Sequence, residues 1–193
     1  MHLWIDGQCF QTASNVRGIG RYVANLLGAM AQTGEVQCTI SLNGNLKEET
    51  IAARNYLKRV VPSAEIQIWY GLAHNSELLA GYSQERMTDE SILAAHVNAI
   101  APDIALSPSP FEGSGDRSSP FLCREEIEAL TFCIFHDAIP YRFATHYLRN
   151  EATQKAYYRR FRKIDLFDSR NATVNQDFYL HPQGGVVRVI RPA

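Results

Sequence analysis

The stretch "LTFCIFHDAIPY", residues 130–141, decides the fold. Its first six residues show almost no polar alternation, the pattern of a strand covered on both faces, and such strands belong to parallel sheets whose crossovers are helices. Working outward, "DIALS" (103–107), "AEIQIWY" (64–70), "VQCTISL" (36–42) and "LWID" (3–6) read as further strands on the N-terminal side. "LFDS" (166–169) and "VVRVI" (186–190) read as strands beyond it. Between them lie segments of helical period. In the first, Ile19, Tyr22, Val23, Leu26, Leu27 and Met30 fall at i, i+3, i+4, i+7, i+8 and i+11, an apolar stripe that can pack on a sheet. Further helices are expected around 46–60, 89–100, 147–164 and 171–180. Strands spaced by helices imply right-handed crossovers, so the expected fold is α/β: a Rossmann-like, doubly wound, mostly parallel sheet with helices on both faces.

The chain has 193 residues, 46% of them hydrophobic and 20% charged, enough to bury a sizeable core in a single domain spanning 1–193. Nineteen basic against twenty acidic residues leave a formal charge of −1, so no global field draws the chain to nucleic acid or to an anionic membrane. Cys9, Cys38, Cys123 and Cys133 are scattered, form no CxxC pair and sit mostly in apolar runs, which suits reduced thiols in a cytoplasm better than disulfides or zinc ligands. The N-terminus lacks a basic segment followed by an apolar one, and no stretch approaches the ~20 apolar residues that span a bilayer. No DxD or histidine-cluster motif is present, so no catalytic metal and no cofactor are expected.

"NVRGIGRYVANLLGAM", residues 15–30, places Gly18 and Gly20 at the start of the first helix. A dinucleotide fingerprint would need its glycines tight against the first strand, but they come well after Asp6, and Val23 stands where a third glycine belongs. A Walker loop is excluded because no glycine is followed by Lys and then Ser or Thr. Two readings remain: glycines that let an anion approach a helix N-terminus, or glycines that only permit a tight turn into the helix.

His136 and Asp137 follow the buried strand at its carboxyl end, where open α/β sheets bind ligands. A histidine there can meet a sugar hydroxyl or exchange a proton, or it can simply bond a backbone carbonyl. Asp137 can likewise serve only as a cap to the turn before Pro140. Glu112 lies in the Pro-, Gly- and Ser-rich loop 107–120, where the plain reading is a solvated carboxylate.

"DGQCFQTASNVRGIGRYVANLL", then "SPSPFEG" with Asp116 close by, then "FHDAIPYRFATHYL", then "AYYRRFRKIDLFDSRNAT" occur in an order that resembles the N-terminal half of bacterial glycosyltransferases of the GT-B fold. The likeness is to the group-1 retaining enzymes, carbohydrate-active family four, that assemble O-antigen and other surface polysaccharides with mannose-like sugars. It implies that Gly18 and Gly20, with Arg21 near them, approach the donor diphosphate and the transferred sugar. It implies that His136 stands beside that sugar as the catalytic-site residue, that Asp137 orients it, that Glu112 binds acceptor hydroxyls, and that Ser169 lies near the cleft. The partners implied are a nucleotide-sugar donor and a saccharide acceptor carried on a polyprenyl diphosphate, with hexose transfer at the inner face of the membrane. Retaining transfer on one face of the sugar needs no pair of protein carboxylates, in keeping with the absence of a hydrolase-type dyad.

Enzymes of this kind carry a second domain that binds most of the nucleotide, and no such sequence is present, so the chain is expected to be the acceptor-side domain alone and inactive by itself. Glu77 and Glu85 match the E-x7-E spacing of that second domain only by chance. In "YYRRFRK", 157–163, Tyr157, Phe161 and Ile164 share a helical face while Arg159, Arg162 and Lys163 project elsewhere. That reads as a docked helix with a solvated basic side, or as a contact for anionic lipid headgroups. The alternative function is a Rossmann-like module that binds a phosphorylated ligand or a protein partner.

Overall fold

The computed structural model describes residues 1–72, 75–119, 126–136, 139–169, 179–180 and 186–189, with the backbone alone for Phe135 and from 163 onward. β1 (His2–Asp6), β2 (Gln37–Asn43), β3 (Glu65–Trp69), β4 (Ile104–Ser107) and β5 (Leu130–Phe135) are mutually parallel. With β6 (Tyr179–Leu180) and β7 (Val186–Val189) they form a sheet of order β3-β2-β1-β4-β5-β7-β6, in which β7 runs antiparallel to β5 and β6.

The helices are α1 (Gly18–Gln32), α2 (Lys47–Val60), α3 (Glu77–Ala80), α4 (Gln84–Ile100), α5 (Ile139–Arg142), α6 (Ala144–Tyr147) and α7 (Glu151–Ser169). Alternation along β1 sorts them onto two faces. Leu3 and Ile5 join Val23 and Leu27 of α1 and Ala53 and Leu57 of α2 in one core, whereas Trp4 joins Trp69, Ala105 and Leu93 and Val97 of α4 in another. The Trp4 indole is satisfied by donating to Ser41 Oγ at 2.8 Å. The sheet is therefore wound on both faces, as the apolar runs predict.

α1 and α2 carry the chain from β1 outward to β3, and α4 returns it to lay β4 on the other side of β1. The strand order reverses between β1 and β4, so the chain segments leaving their carboxyl ends diverge and open a crevice. One wall is the segment 7–16, with 3-10 turns at Gly7–Phe10 and Ala13–Val16; the other is the loop after β4.

Three elements differ from the sequence reading. Residues 166–169 are not a strand but the last turn of α7. No Gly or Pro interrupts 151–169, so a four-residue apolar run is absorbed into the helix already under way. α4 begins at Gln84 rather than 89 because its first turns bury Arg86 and Asp89, which an apolar period does not register. Of the expected helix 171–180, residues 171–178 lie outside the described residues, and Tyr179–Leu180 is a strand.

Candidate active site at the strand ends

Polar side chains, not apolar ones, hold the crevice walls together. Gln8 pairs with the backbone of Ser119 in both directions, its Nε2 donating to Ser119 O at 2.7 Å and its Oε1 accepting from Ser119 N at 2.8 Å. Buried Arg86 donates to Ser118 O at 2.9 Å, Asn75 O at 2.8 Å and Asp116 O at 3.2 Å. The Gly- and Ser-rich composition of this loop therefore does not make it a solvated strap. Its backbone carbonyls are consumed by buried donors from 7–16 and α4.

Glu112 departs from the plain reading for the same reason. It is buried, its Oε1 accepts from Ser109 Oγ at 2.8 Å, and it bonds the Ser14 and Thr12 side chains across the crevice. Burial pushes its carboxyl above the ordinary value, while those hydrogen bonds pull it partly back. In this conformation Glu112 ties the loop to the segment that leads into α1.

The two glycines serve different ends. A Cβ on Gly20 would lie 2.7 Å from the Asn15 backbone, so Gly20 lets the turn Ala13–Val16 pack against the start of α1. A Cβ on Gly18 would meet nothing within 4 Å. Arg17 is the N-cap of α1, and its side chain makes no capping hydrogen bond to the first turn. Arg21 is exposed, and the arginine that reaches the cavity beside these residues is Arg17.

That cavity, of about 460 Å³, opens between the start of α1, the loop after β4, the end of β5, and α6 and α7; Arg17, Ser109, Phe111, His136, Tyr157 and Arg160 line it. Phe111 and Tyr157 stack with centroids 4.8 Å apart and form one wall. His136 is half-buried at the end of β5, with its ring edge-on to Tyr22 at 5.7 Å. Its Nε2 donates to Pro108 O at 2.8 Å, since a carbonyl can only accept. His136 thus combines two sequence readings: it bonds a backbone carbonyl and faces a cavity. In the neutral ring this bond selects the Nε2–H tautomer and leaves Nδ1 as the acceptor atom. Asp137 lies outside the described residues. Ser169 ends α7 rather than following a strand, and its side chain lies outside what is described.

The basic run on α7 is largely internal. Arg159 donates to both Glu77 oxygens, at 3.1 and 2.7 Å, lies 3.4 Å from Glu90, and stacks over the Tyr82 ring at 3.7 Å. Arg160, 1% exposed, sets Nη2 2.7 Å from Glu77 Oε2 and donates from Nη1 to Ala156 O at 3.0 Å. The expected solvated side is thereby corrected: Arg162 is exposed, whereas Arg159 and Arg160 hold α7 to α3 and α4. Burial lowers Arg160 to about 10 against the pull of Glu77. Burial would raise Glu77, but the Arg159 hydrogen bond and the charges of Arg160, Arg159 and Arg86 outweigh it and hold the carboxyl below its ordinary value. Sequence reasoning missed Arg17 and Arg160. For Arg160 a signal existed, because it falls four residues after Ala156 and three after Tyr157, on the apolar face of the helix.

Among the described residues no group of three or more His, Cys, Asp or Glu is placed to hold a metal ion, and no helix is long and apolar enough to cross a membrane. Cys9, Cys38 and Cys133 are buried, no disulfide is formed among the described residues, and Cys123 lies outside them.

No family model matches the chain, and no solved structure matches it. It is 29% identical over 178 residues to the serotype-specific mannosyltransferase WbdA of Escherichia coli, an alignment that covers 88% of this chain and 20% of the relative. The chain thus spans about a fifth of the length of the curated relative it matches. That similarity and the parallel sheet together fit an N-terminal domain of the GT-B glycosyltransferase fold.

Proposed function

We propose that this chain is the acceptor-side domain of a retaining glycosyltransferase that moves a hexose, mannose, from a nucleotide sugar to a lipid-linked saccharide, the nucleotide being bound mainly by a second domain. The observation that carries this reading is the cavity at the carboxyl ends of β4 and β5, beside the sheet's switch point. It presents aromatic faces, hydroxyls and His136 to one space, on a chain similar to a mannosyltransferase. Aromatic faces take the C–H faces of a sugar ring, and the polar rim takes its hydroxyls. His136 would face the reacting sugar, Gly18 would give its phosphate close passage, and Asp137, Glu112 and Ser169 would act as positioning groups around the cleft. No metal or cofactor is invoked.

Residues 139–149 support peripheral contact with the inner face of a membrane better than α7 does. Ile139, Tyr141, Phe143 and Tyr147 are exposed, Arg142 and Arg149 are exposed among them, and no acidic residue interrupts the stretch. Aromatic and basic side chains in that mixture suit the headgroup layer of an anionic bilayer.

The test is twofold. Titration of the chain with manno-oligosaccharides, followed by NMR, is expected to shift resonances of Phe111, His136 and Tyr157, while UDP- and GDP-sugars bind only very weakly. Submillimolar sugar-nucleotide binding, or hexose transfer by the chain alone, contradicts the division of labour. Saccharides that leave the cavity resonances unmoved contradict the site.

A further inference from the structure

We propose that Tyr22 is a positioning residue of the candidate site: its ring sets the plane in which His136 meets the ligand, and so ties the end of β5 to helix α1. The inference rests on His136 facing the reacting sugar and adds the group that holds it there.

A histidine side chain fixes its own ring plane poorly. The torsion about Cβ–Cγ joins a tetrahedral carbon to a flat ring, and such torsions are broad rather than confined to three wells. The 2.8 Å bond from Nε2 to Pro108 O pins one ring atom. A carbonyl oxygen accepts over a wide range of angles, so that bond alone does not define the plane.

Tyr22 supplies the missing constraint. Its ring meets the imidazole at 5.7 Å between centroids and 89° between planes, the edge-to-face arrangement that aromatic quadrupoles favour. A turn of the imidazole within its hydrogen bond would break that right angle. The bond at Nε2 and the ring contact therefore fix position and plane together.

Tyr22 is itself held. It is half-buried and packs against the core that contains Val23 and Leu27. It stands two residues after Gly20, whose missing Cβ lets the turn Ala13–Val16 lie against the start of α1. Ile19, one turn earlier on the same helical face, lines the cavity, whereas Tyr22 does not and acts on it through His136. The spacing from Gly20 to Tyr22 in "GIGRY" thus carries the seating of α1 to the end of β5.

The test joins NMR on the chain to kinetics on the intact enzyme. Carbon-13 relaxation of the His136 ring is measured for wild type, Tyr22→Phe and Tyr22→Leu. Wild type and Tyr22→Phe are expected to give order parameters near the ~0.85 of rigid groups, and Tyr22→Leu one below about 0.6. NOEs between the Tyr22 and His136 rings of wild type need no variant, and keep the proposal falsifiable if Tyr22→Leu unfolds. In the intact enzyme, Tyr22→Leu is expected to lower kcat roughly tenfold at nearly constant KM, since a misplaced contact costs less than a deleted one. Tyr22→Phe keeps the ring contact and is expected to hold kcat within about twofold of wild type. In the His136→Ala background, Tyr22→Leu is expected to cost nothing further, because a residue that acts through another loses its effect with it. Absent ring NOEs, an equally ordered ring in folded Tyr22→Leu, an equal kcat loss in Tyr22→Phe, or an additive loss in the double variant overturns the proposal. So does a lowered melting temperature in Tyr22→Leu with kcat per folded molecule intact. Absent hexose transfer by the intact wild-type enzyme, with His136 ring order still following Tyr22, overturns the transferase reading and leaves the Tyr22 contact standing.

Discussion

Arg160 Nη2 and Glu77 Oε2 lie 2.7 Å apart with side chains 1% and 5% exposed, so helix α7 is joined to α3 by a buried ion pair rather than by apolar packing alone. Glu77 also receives the Arg159 guanidinium. Glu77→Gln would therefore leave two guanidiniums facing an amide, and breaking a buried pair from one side costs about 3–5 kcal/mol. Urea unfolding is expected to show a loss of that order, with the fluorescence of the Phe111–Tyr157 wall region changing before the β1–β2 core unfolds. A loss under about 1 kcal/mol would mean that solvent reaches the pair and screens it.

The two glycines of "GIGRY" should separate cleanly on substitution. Gly20→Ala places a methyl 2.7 Å from the Asn15 backbone, which cannot yield as a flexible side chain would, and is expected to destabilise by roughly 1–3 kcal/mol. Gly18→Ala meets open space and replaces Gly by a better helix former, so its stability should stay within about 0.5 kcal/mol of wild type or rise. Melting temperatures of the two variants check this. Equal effects would mean that the turn Ala13–Val16 does not pack against α1 as described.

Why the strands were legible in the sequence and the site only in part follows from what each depends on. Leu3, Trp4 and Ile5 are apolar on both faces because both faces are covered, and that signal is local. The position of Glu112 depends on Thr12 and Ser14 meeting it across the crevice, about a hundred residues away in sequence, and no local period encodes that. Arg160 is obscured for a related reason: among four basic residues in seven, contact with Glu77 of α3 sets Arg159 and Arg160 apart from exposed Arg162, and α3 is itself a single turn with no amphipathic signature. That His136 follows the buried strand is legible in the sequence, but its bond to Pro108 O needs the β4–β5 pairing to be known.

Glu112 and Glu77 predict opposite pH signatures. Glu112 has its folded-state carboxyl raised by burial from an ordinary value near 4.5, so the folded chain holds its proton more tightly than the unfolded one. Its contribution is fully present below the unfolded value and is lost as pH rises through the folded value. Glu77 is lowered from the same ordinary value, so its contribution is present above that value and is lost as pH falls through the folded one. Stability measured by urea unfolding between pH 3 and 8 is therefore expected to differ in slope between wild type and Glu112→Gln above about pH 4.5. The variant gains on wild type as pH climbs. Parallel curves would show that the Ser14, Thr12 and Ser109 bonds fully offset the burial of the charge.

The exposed stretch 139–149 gives a third contrast. Tyr141→Ala with Phe143→Ala removes two exposed rings, and Arg142→Gln with Arg149→Gln removes two exposed charges. Both pairs are expected to lower co-sedimentation with phosphatidylglycerol vesicles, the charge pair more at low salt, since each basic residue near an anionic surface contributes about 1 kcal/mol. Arg159→Gln should act instead through stability, because its guanidinium is occupied by Glu77 and Glu90. Vesicle binding that follows Arg159 and ignores residues 141–149 would return the contact to α7.

His136 decides the catalytic reading. It stands at the end of β5, held between strands on either side, and its ring is oriented by donation to Pro108 O at 2.8 Å and by edge contact with Tyr22. A ring held in a fixed orientation beside the cavity meets a sugar with little reorganisation, the condition under which a contact helps the transition state more than the ground state. In the intact enzyme, His136→Ala is expected to lower kcat roughly 10²-fold or more. Because the substitution also strips Pro108 O of its donor, stability should fall by about 1 kcal/mol, a modest shift in melting temperature. Melting temperature and initial rate measured on one preparation separate the two effects. A modest melting shift with a collapsed rate assigns His136 to the reacting sugar. A large melting drop with normal activity per folded molecule would leave it only the task of holding the loop after β4 against the end of β5.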